Sequence, residues 1–87
     1  MSTPDLIRQR LAVLEPETIT LEDESAQHKG HAGAAAGGGH FRLTLVSPKF
    51  RNLSTLARHR LVYEAMGELM QREIHALSIT ALTPEEL

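Results

Sequence analysis

The sequence of 87 residues contains no cysteine. This absence excludes a disulfide-stapled fold, a thiol nucleophile and any thiolate metal site that the chain would build alone. No apolar run approaches the roughly 20 residues that span a bilayer, and the first ten residues lack the basic-then-apolar pattern of a signal peptide. We therefore expect a cytoplasmic protein that does not engage a membrane.

Catalytic motifs are missing as well. The Gly-Gly-Gly-His run at 37–40 precedes a predicted strand rather than a helix, and no Lys-Ser/Thr follows it, so it is not a phosphate-binding loop. There is no nucleophile elbow and no HExxH motif. Asp23 and Glu24 are adjacent, and in a strand their side chains would point to opposite faces, which disfavours a catalytic dyad. We expect that the protein is not an enzyme.

Acidic residues are absent from one stretch of an otherwise weakly acidic chain of net charge −2. Between positions 42 and 60 all charged residues are basic: Arg42, Lys49, Arg51, Arg58 and Arg60. A local positive field of this kind favours DNA binding through Lys49, Arg51, Arg58 and Arg60. The alternative is a solvated surface with acidic partners, since Arg60 and Glu64 have the i, i+4 spacing of a helical ion pair.

The length predicts a single domain over residues 1–87, because two domains would each be too short to bury a core. Thr3-Pro4 begins a short helix whose apolar face is Ile7, Leu11 and Leu14, and a longer helix from Ser54 to about Gln71 has a buried stripe at Val62, Met66 and Leu69. Alternating residues predict strands at 18–23, 40–46 and 74–82, the first two pairing antiparallel. Thr83-Pro84 resembles one more helix start. The order α-β-β-α-β(-α) predicts an α+β fold with helices on one face of a three-stranded sheet.

Between the first two strands lies a segment rich in small residues. Residues 25–39 contain five of the six glycines and five alanines, which offer little to pack in a core. We predict that 26–39 is a flexible loop.

Histidine is the residue type with the clearest chemical potential, at positions 28, 31, 40, 59 and 75. His28 and His31 form a short-range pair in the predicted loop, and imidazole is the commonest metal ligand. The alternative is a polar loop that happens to hold histidine. His75 begins a predicted strand on the side of Leu77 and Ile79, either as a core-edge histidine bonded to backbone or as a ligand fixed on a rigid element. His59 fits a packed or capping histidine better than a ligand.

Seven groups of residues, in this order and spacing, resemble the BolA family over nearly the whole chain. They are Asp23-Glu24-Ser25, His28, His40-Phe41, Val46-Ser47 with Phe50, Arg58-His59-Arg60-Leu61-Val62-Tyr63, Ile74-His75-Ala76-Leu77, and Thr83-Pro84. The Arg-His-Arg helix together with the His-Ala-Leu strand is a specific combination. The resemblance implies an α-β-β-α-β fold like a class II KH domain. The GxxG turn with which true KH domains clamp RNA is not evident.

The same resemblance implies a function. It suggests a heterodimer with a monothiol glutaredoxin and a role in iron–sulfur trafficking or iron regulation, while some bacterial members are described as DNA-binding regulators. His75 matches the family histidine that ligates a shared [2Fe–2S] cluster. The second ligand comes from the loop between the first two strands, where His28 matches best and His31 competes in a longer loop than the shortest family pattern. The partner with its glutathione would supply the sulfurs, so we expect no stable cluster in the isolated chain.

Overall fold

In the computed structural model, residues 1–24 and 39–87 are described. Two helices and three strands follow the predicted order: α1 (Thr3–Leu11), β1 (Thr18–Asp23), β2 (Gly39–Val46), α2 (Thr55–Met66) and β3 (Ile74–Leu82). Single 3-10 segments lie at Ala12–Leu14, Pro48–Phe50, Gly67–Gln71 and Pro84–Glu86. The predicted α+β fold is confirmed, and the last helix start is one 3-10 turn. The loop predicted at 26–39 lies outside the described residues except for Gly39, which begins β2.

The sheet has the order β1-β2-β3, so β2 is central. β1 and β2 pair antiparallel, as predicted, from Thr18 opposite Val46 to Asp23 opposite Phe41. β2 and β3 pair in parallel, which requires a long crossover, and α2 with the 3-10 segment after it supplies that crossover. Among the strands of residues 1–24 and 39–87, β1 and β3 are therefore the two edges of the sheet.

The core lies between one face of this sheet and the two helices. Phe41, Leu43 and Leu45 alternate along β2 and are buried, whereas Arg42 between them is exposed. The helical stripes predicted from spacing are buried against them: Ile7, Leu11, Leu14, Val62, Met66 and Leu69. Among the described residues, no helix is long and apolar enough to cross a bilayer.

The longer helix ends earlier than predicted. α2 stops at Met66 because Gly67 has a φ of 56°, and the chain continues to Gln71 as a 3-10 segment. Arg10 of α1 donates to the carbonyl of Met66 at 3.5 Å. A Cβ at position 67 would lie 3.1 Å from Nη1 of Arg10. Glycine is favoured here both by the positive φ and by this close approach.

A buried serine connects the 3-10 segment after α1 to the end of the central strand. Ser47 is fully buried, and its Oγ donates to the carbonyl of Leu14 at 2.5 Å while accepting from the N–H of Lys49 at 3.0 Å. Its own N–H donates to the carbonyl of Leu82 at 2.9 Å. Three parts of the chain thus meet at one residue.

Candidate metal-binding edge

His75 is the extra residue of a β-bulge where β2 and β3 begin. Gly39 pairs with Ile74, and the next residue of β2, His40, pairs with Ala76, so three residues of β3 lie opposite two of β2. Ile74 is buried, whereas His75 is exposed. The prediction that His75 lies on the same side as Leu77 and Ile79 is wrong. It assumed that side chains alternate regularly along β3, and the bulge interrupts that alternation at His75.

The bulge brings His75 beside a second imidazole. The ring centroids of His40 and His75 are 4.9 Å apart, with the planes tilted by 39°. His40 precedes the buried Phe41, so the alternation of β2 turns it to the face of the sheet opposite the core. Two imidazoles on paired strands thus lie close together, that of His75 exposed and that of His40 half-buried with its Nε2 inaccessible to solvent.

Both histidines are held by well-anchored backbone. The N–H of Gly39 donates to the carbonyl of Glu73 at 2.8 Å, which closes the start of the strand pair. The N–H of Glu24 donates to the carbonyl of His40 at 2.7 Å on the other side. A ligand on a strand fixed in this way needs little reorganisation to bind.

The other two predicted ligands, His28 and His31, lie outside the described residues. Within residues 1–24 and 39–87, no group of three or more His, Asp or Glu side chains could hold a metal ion. The described part of the chain therefore offers a pair of imidazoles and not a complete coordination sphere. An iron–sulfur cluster requires four protein or cofactor ligands, more than this pair supplies.

A cleft opens on the helix side of the same end of the sheet, with a volume of about 530 Å³. Gly39 and Glu73, the sequence neighbours of the bulge, form part of its wall. The other lining residues are Thr3, Pro4, Asp23, Phe41 and Arg72. Within residues 1–24 and 39–87, the sheet end that carries the histidines therefore has a cleft on its helix side.

At the opposite end of β3, two of the basic residues predicted to bind DNA make ion pairs within the chain. Arg58 is only 13% exposed, and it donates to the carbonyls of Leu53 and Ala81 at 3.0 Å each and to Oε1 of Glu86 at 2.6 Å. Arg51 makes a two-pronged contact with Glu85, at 2.9 and 2.5 Å. We call these four charged residues the C-terminal clamp.

The clamp perturbs the pKa of both its carboxylates. Hydrogen bonds from the Arg58 side chain and the Thr83 backbone lower the pKa of Glu86 to about 2. The hydrogen bond from Arg51 lowers the pKa of Glu85 and raises that of Arg51. All three shifts favour the charged forms, so the clamp is an ion-pair network at neutral pH.

The other two predicted DNA contacts differ from each other. Lys49 lies 3.6 Å from a carboxylate oxygen of Glu15. Arg60 is exposed on α2, and in the described part of the chain it makes no ion pair. The basic stretch is thus largely neutralised by acids from other segments, with Arg60 as the exception.

Sequence reasoning did not include His40 among the ligands. The signal was present, because Phe41, Leu43 and Leu45 on one face place His40 on the other. What was missing was the register of the parallel pair, since only the bulge brings His75 to His40.

Comparison with known proteins agrees with this architecture. The family model described as "BolA-like protein" matches residues 11–86. BolA-like protein 1 of Mus musculus is 44% identical over 81 residues, covering 92% of this chain and 57% of that protein. SufE-like protein 1 of Arabidopsis thaliana is 40% identical over 87 residues, covering 93% of this chain and 24% of that protein. The chain thus spans between a quarter and three fifths of these two relatives.

A bacterial relative and a solved structure match over more of their length. The DNA-binding transcriptional regulator BolA of Haemophilus influenzae is 32% identical over 99% of this chain and 82% of that protein. The structure of the BolA domain of SufE1 from Arabidopsis thaliana has a TM-score of 0.84 at 38% identity, covering 100% of this chain and 99% of that one. With the family model matching most of the sequence and the fold shared, this chain belongs to the BolA-like family.

Proposed function

We propose that this chain is an iron–sulfur partner protein that forms a heterodimer with a monothiol glutaredoxin and contributes imidazole ligands to a shared [2Fe–2S] cluster. The observation that carries the proposal is the exposed His75 at a β-bulge, with the His40 ring at 4.9 Å. Family membership supports it. The role is one of binding and not of catalysis, in keeping with the absence of catalytic motifs from the sequence.

His75 is the ligand we propose first, because it is exposed and lies on a rigid strand. The second ligand is one of three histidines. His28 and His31 are supported by the family pattern, and His40 is supported by its proximity to His75. A cluster held by such histidines would have a higher reduction potential than one held by thiolates alone. Because the chain has no cysteine, it contributes no thiolate, and the glutaredoxin and its glutathione supply the sulfur ligands.

Anaerobic reconstitution tests this proposal. The chain alone, given iron and sulfide, is expected to retain no coloured cluster, whereas the chain with a monothiol glutaredoxin and glutathione elutes as a coloured heterodimer. His75→Ala, His28→Ala, His31→Ala and His40→Ala are compared by visible circular dichroism of the heterodimer. We expect His75→Ala and one of the other three to lose the spectrum of the mixed complex. A spectrum that none of the four changes contradicts the proposal.

The second candidate function is DNA binding, supported by the printed name of the Haemophilus influenzae relative. The internal ion pair of the largely buried Arg58 weighs against it, because breaking that pair to reach phosphate carries a cost. The exposed ion pairs of Lys49 and Arg51 oppose it only weakly. Arg60 is the residue on which this alternative most depends.

A further inference from the structure

β3 is an edge strand with no feature that discourages pairing along most of its length. It is nine residues long and holds neither proline nor any Asp, Glu, Lys or Arg. β1, the other edge, ends in Glu22-Asp23 and is followed by Glu24. Charged residues on an edge strand oppose pairing with another chain, and uncharged edges permit it. Of the two edges, β3 is the one suited to accept a further strand.

The backbone groups that point away from the sheet can be assigned from two hydrogen bonds. The carbonyl of Leu82 accepts from Ser47 at the end of β2, so the backbone polar groups of Leu82 point toward the sheet. Successive residues alternate, and the carbonyl of Ala81 accordingly points outward, where it accepts from Arg58. By the same alternation the N–H and C=O groups of Leu77 and Ile79 point outward. In the described part of the chain nothing bonds to them from that side.

The open edge has defined limits. Arg58 occupies the outward carbonyl of Ala81 at one end, and the bulge at His75 interrupts the regular strand at the other. Between them, Leu77 and Ile79 pack against the core yet remain partly exposed, and Ser78 is exposed on the opposite face. An added strand would bond to Leu77 and Ile79 and cover their side chains.

We propose that β3 pairs antiparallel with β3 of a second copy of this chain, about a two-fold axis at Ser78. Leu77 then lies opposite Ile79 of the second copy, and Ile79 opposite its Leu77. Both pairs exchange N–H···O=C bonds, which gives four bonds and satisfies every outward group of these residues. The register is self-consistent, because the residues with outward backbone groups face each other and Ser78 meets its own copy in a non-hydrogen-bonded pair.

The side chains suit this occupant. On the core side, the partly exposed Leu77 and Ile79 form two apolar cross-strand pairs, which stabilise antiparallel strands. On the other face, two serines meet with no charge to repel them. The interface is small, so the pairing is a reversible equilibrium and not a permanent dimer. It involves this chain alone and does not depend on the proposed function.

Single cysteines test the register directly, because the chain has no native thiol. In a non-hydrogen-bonded antiparallel pair, opposite Cα atoms are about 4.5 Å apart, within the range that a disulfide can bridge. Ser78→Cys is therefore expected to cross-link rapidly to a dimer when diamide, which accepts the two electrons and two protons of the thiol pair, is added. Thr80→Cys is the matched control on the same strand and face. Its two copies would lie about 13 Å apart along the strands.

We expect cross-linking of Ser78→Cys at least about tenfold faster than that of Thr80→Cys, with each variant's fold checked by circular dichroism. Equal rates, or faster reaction of Thr80→Cys, would overturn the register.

Sedimentation of the cysteine-free chain over a range of concentrations supplies the second measurement. Ser78→Glu sets two like charges opposite each other and is expected to weaken self-association about tenfold or more, whereas Thr20→Glu on β1 leaves it unchanged. A cysteine-free chain that sediments as a monomer at every concentration would also overturn the proposal.

Discussion

The two ends of β3 differ in what their surrounding side chains contact. The C-terminal end is closed by the clamp, in which Arg51 and Arg58 bind Glu85 and Glu86 and a carbonyl of β3 itself. At the N-terminal end, His75 is exposed on a bulge beside His40. The basic stretch in the sequence predicted a binding surface at the C-terminal end of β3. There, however, Arg51 and Arg58 form ion pairs within the chain that stabilise the fold. The histidine end instead presents an exposed imidazole, that of His75.

The largest effect on stability is expected from Arg58→Ala. This substitution removes donors to the carbonyls of Leu53 and Ala81 and leaves Glu86 without its cation. We expect a loss of about 2–3 kcal/mol in the free energy of unfolding, measured by urea denaturation. Arg60→Ala, two residues along α2 and exposed, is the matched control and should change stability by less than about 0.5 kcal/mol. Equal losses in the two variants would remove the distinction between clamp and surface.

Ser47→Ala is expected to have the next largest effect. It deprives the buried carbonyl of Leu14 of its donor and the N–H of Lys49 of its acceptor. The expected loss is about 1–2 kcal/mol by thermal or urea denaturation. Thr55→Ala, at an exposed position, serves as the control. An unchanged free energy of unfolding in Ser47→Ala would mean that the hydrogen bonds of Ser47 do not stabilise the C-terminal end of β3.

The pH dependence of stability sharpens the same comparison. The folded-state pKa of Glu86 is lowered to about 2 from 4.5, so the unfolded chain takes up its proton first as the pH falls. The stabilisation is therefore complete above about pH 4.5 and is lost progressively toward pH 2. We expect Glu86→Gln to flatten the slope of stability against pH in this interval. If stability depends on pH with the same slope in Glu86→Gln as in the parent chain, the assignment of Glu86 to the ion-pair network is contradicted.

DNA binding, if it occurs, should depend most on Arg60, the basic residue of the 42–60 stretch that makes no ion pair with the described residues. Arg60→Glu is expected to weaken binding to all sequences and to lower the salt dependence by about one counterion. Lys49→Glu and Arg51→Glu should also weaken binding, but less, because acids already neutralise these two residues. Fluorescence anisotropy at several salt concentrations measures these effects. Binding that none of the three alters would exclude Lys49, Arg51 and Arg60 from the interface.

The helices and the core could be predicted because they depend on local spacing. Ile7 and Leu11 on α1, and Val62 and Met66 on α2, are buried as their periodicity indicates. The end of α2 at Gly67 was within reach of the sequence, but a glycine inside an apolar pattern does not by itself show whether its φ is positive.

The site depended on contacts that the sequence does not encode locally. His75 alternates with Leu77 and Ile79 in sequence, and only its pairing with β2 shows that it is the extra residue of a bulge. Similarly, Arg58 and Glu86 are 28 residues apart, so nothing in the basic stretch itself indicates its acidic partner. The residue types were enough to identify the candidate ligands and the candidate DNA contacts. Only their tertiary contacts show that the histidines lie together and that Arg51 and Arg58 belong to the clamp.

The central claim is that the N-terminal end of β3 supplies a histidine ligand to a shared cluster. Pulsed electron paramagnetic resonance of the reduced heterodimer, with ¹⁵N-histidine incorporated only into this chain, tests it most directly. We predict a nitrogen hyperfine coupling that changes from the ¹⁴N to the ¹⁵N pattern with this label. That coupling should be lost or altered in His75→Ala and should persist in His59→Ala, where the substituted residue lies on α2 beside the clamp. A cluster without nitrogen coupling from this chain, or one whose coupling is the same in His75→Ala, would contradict the account.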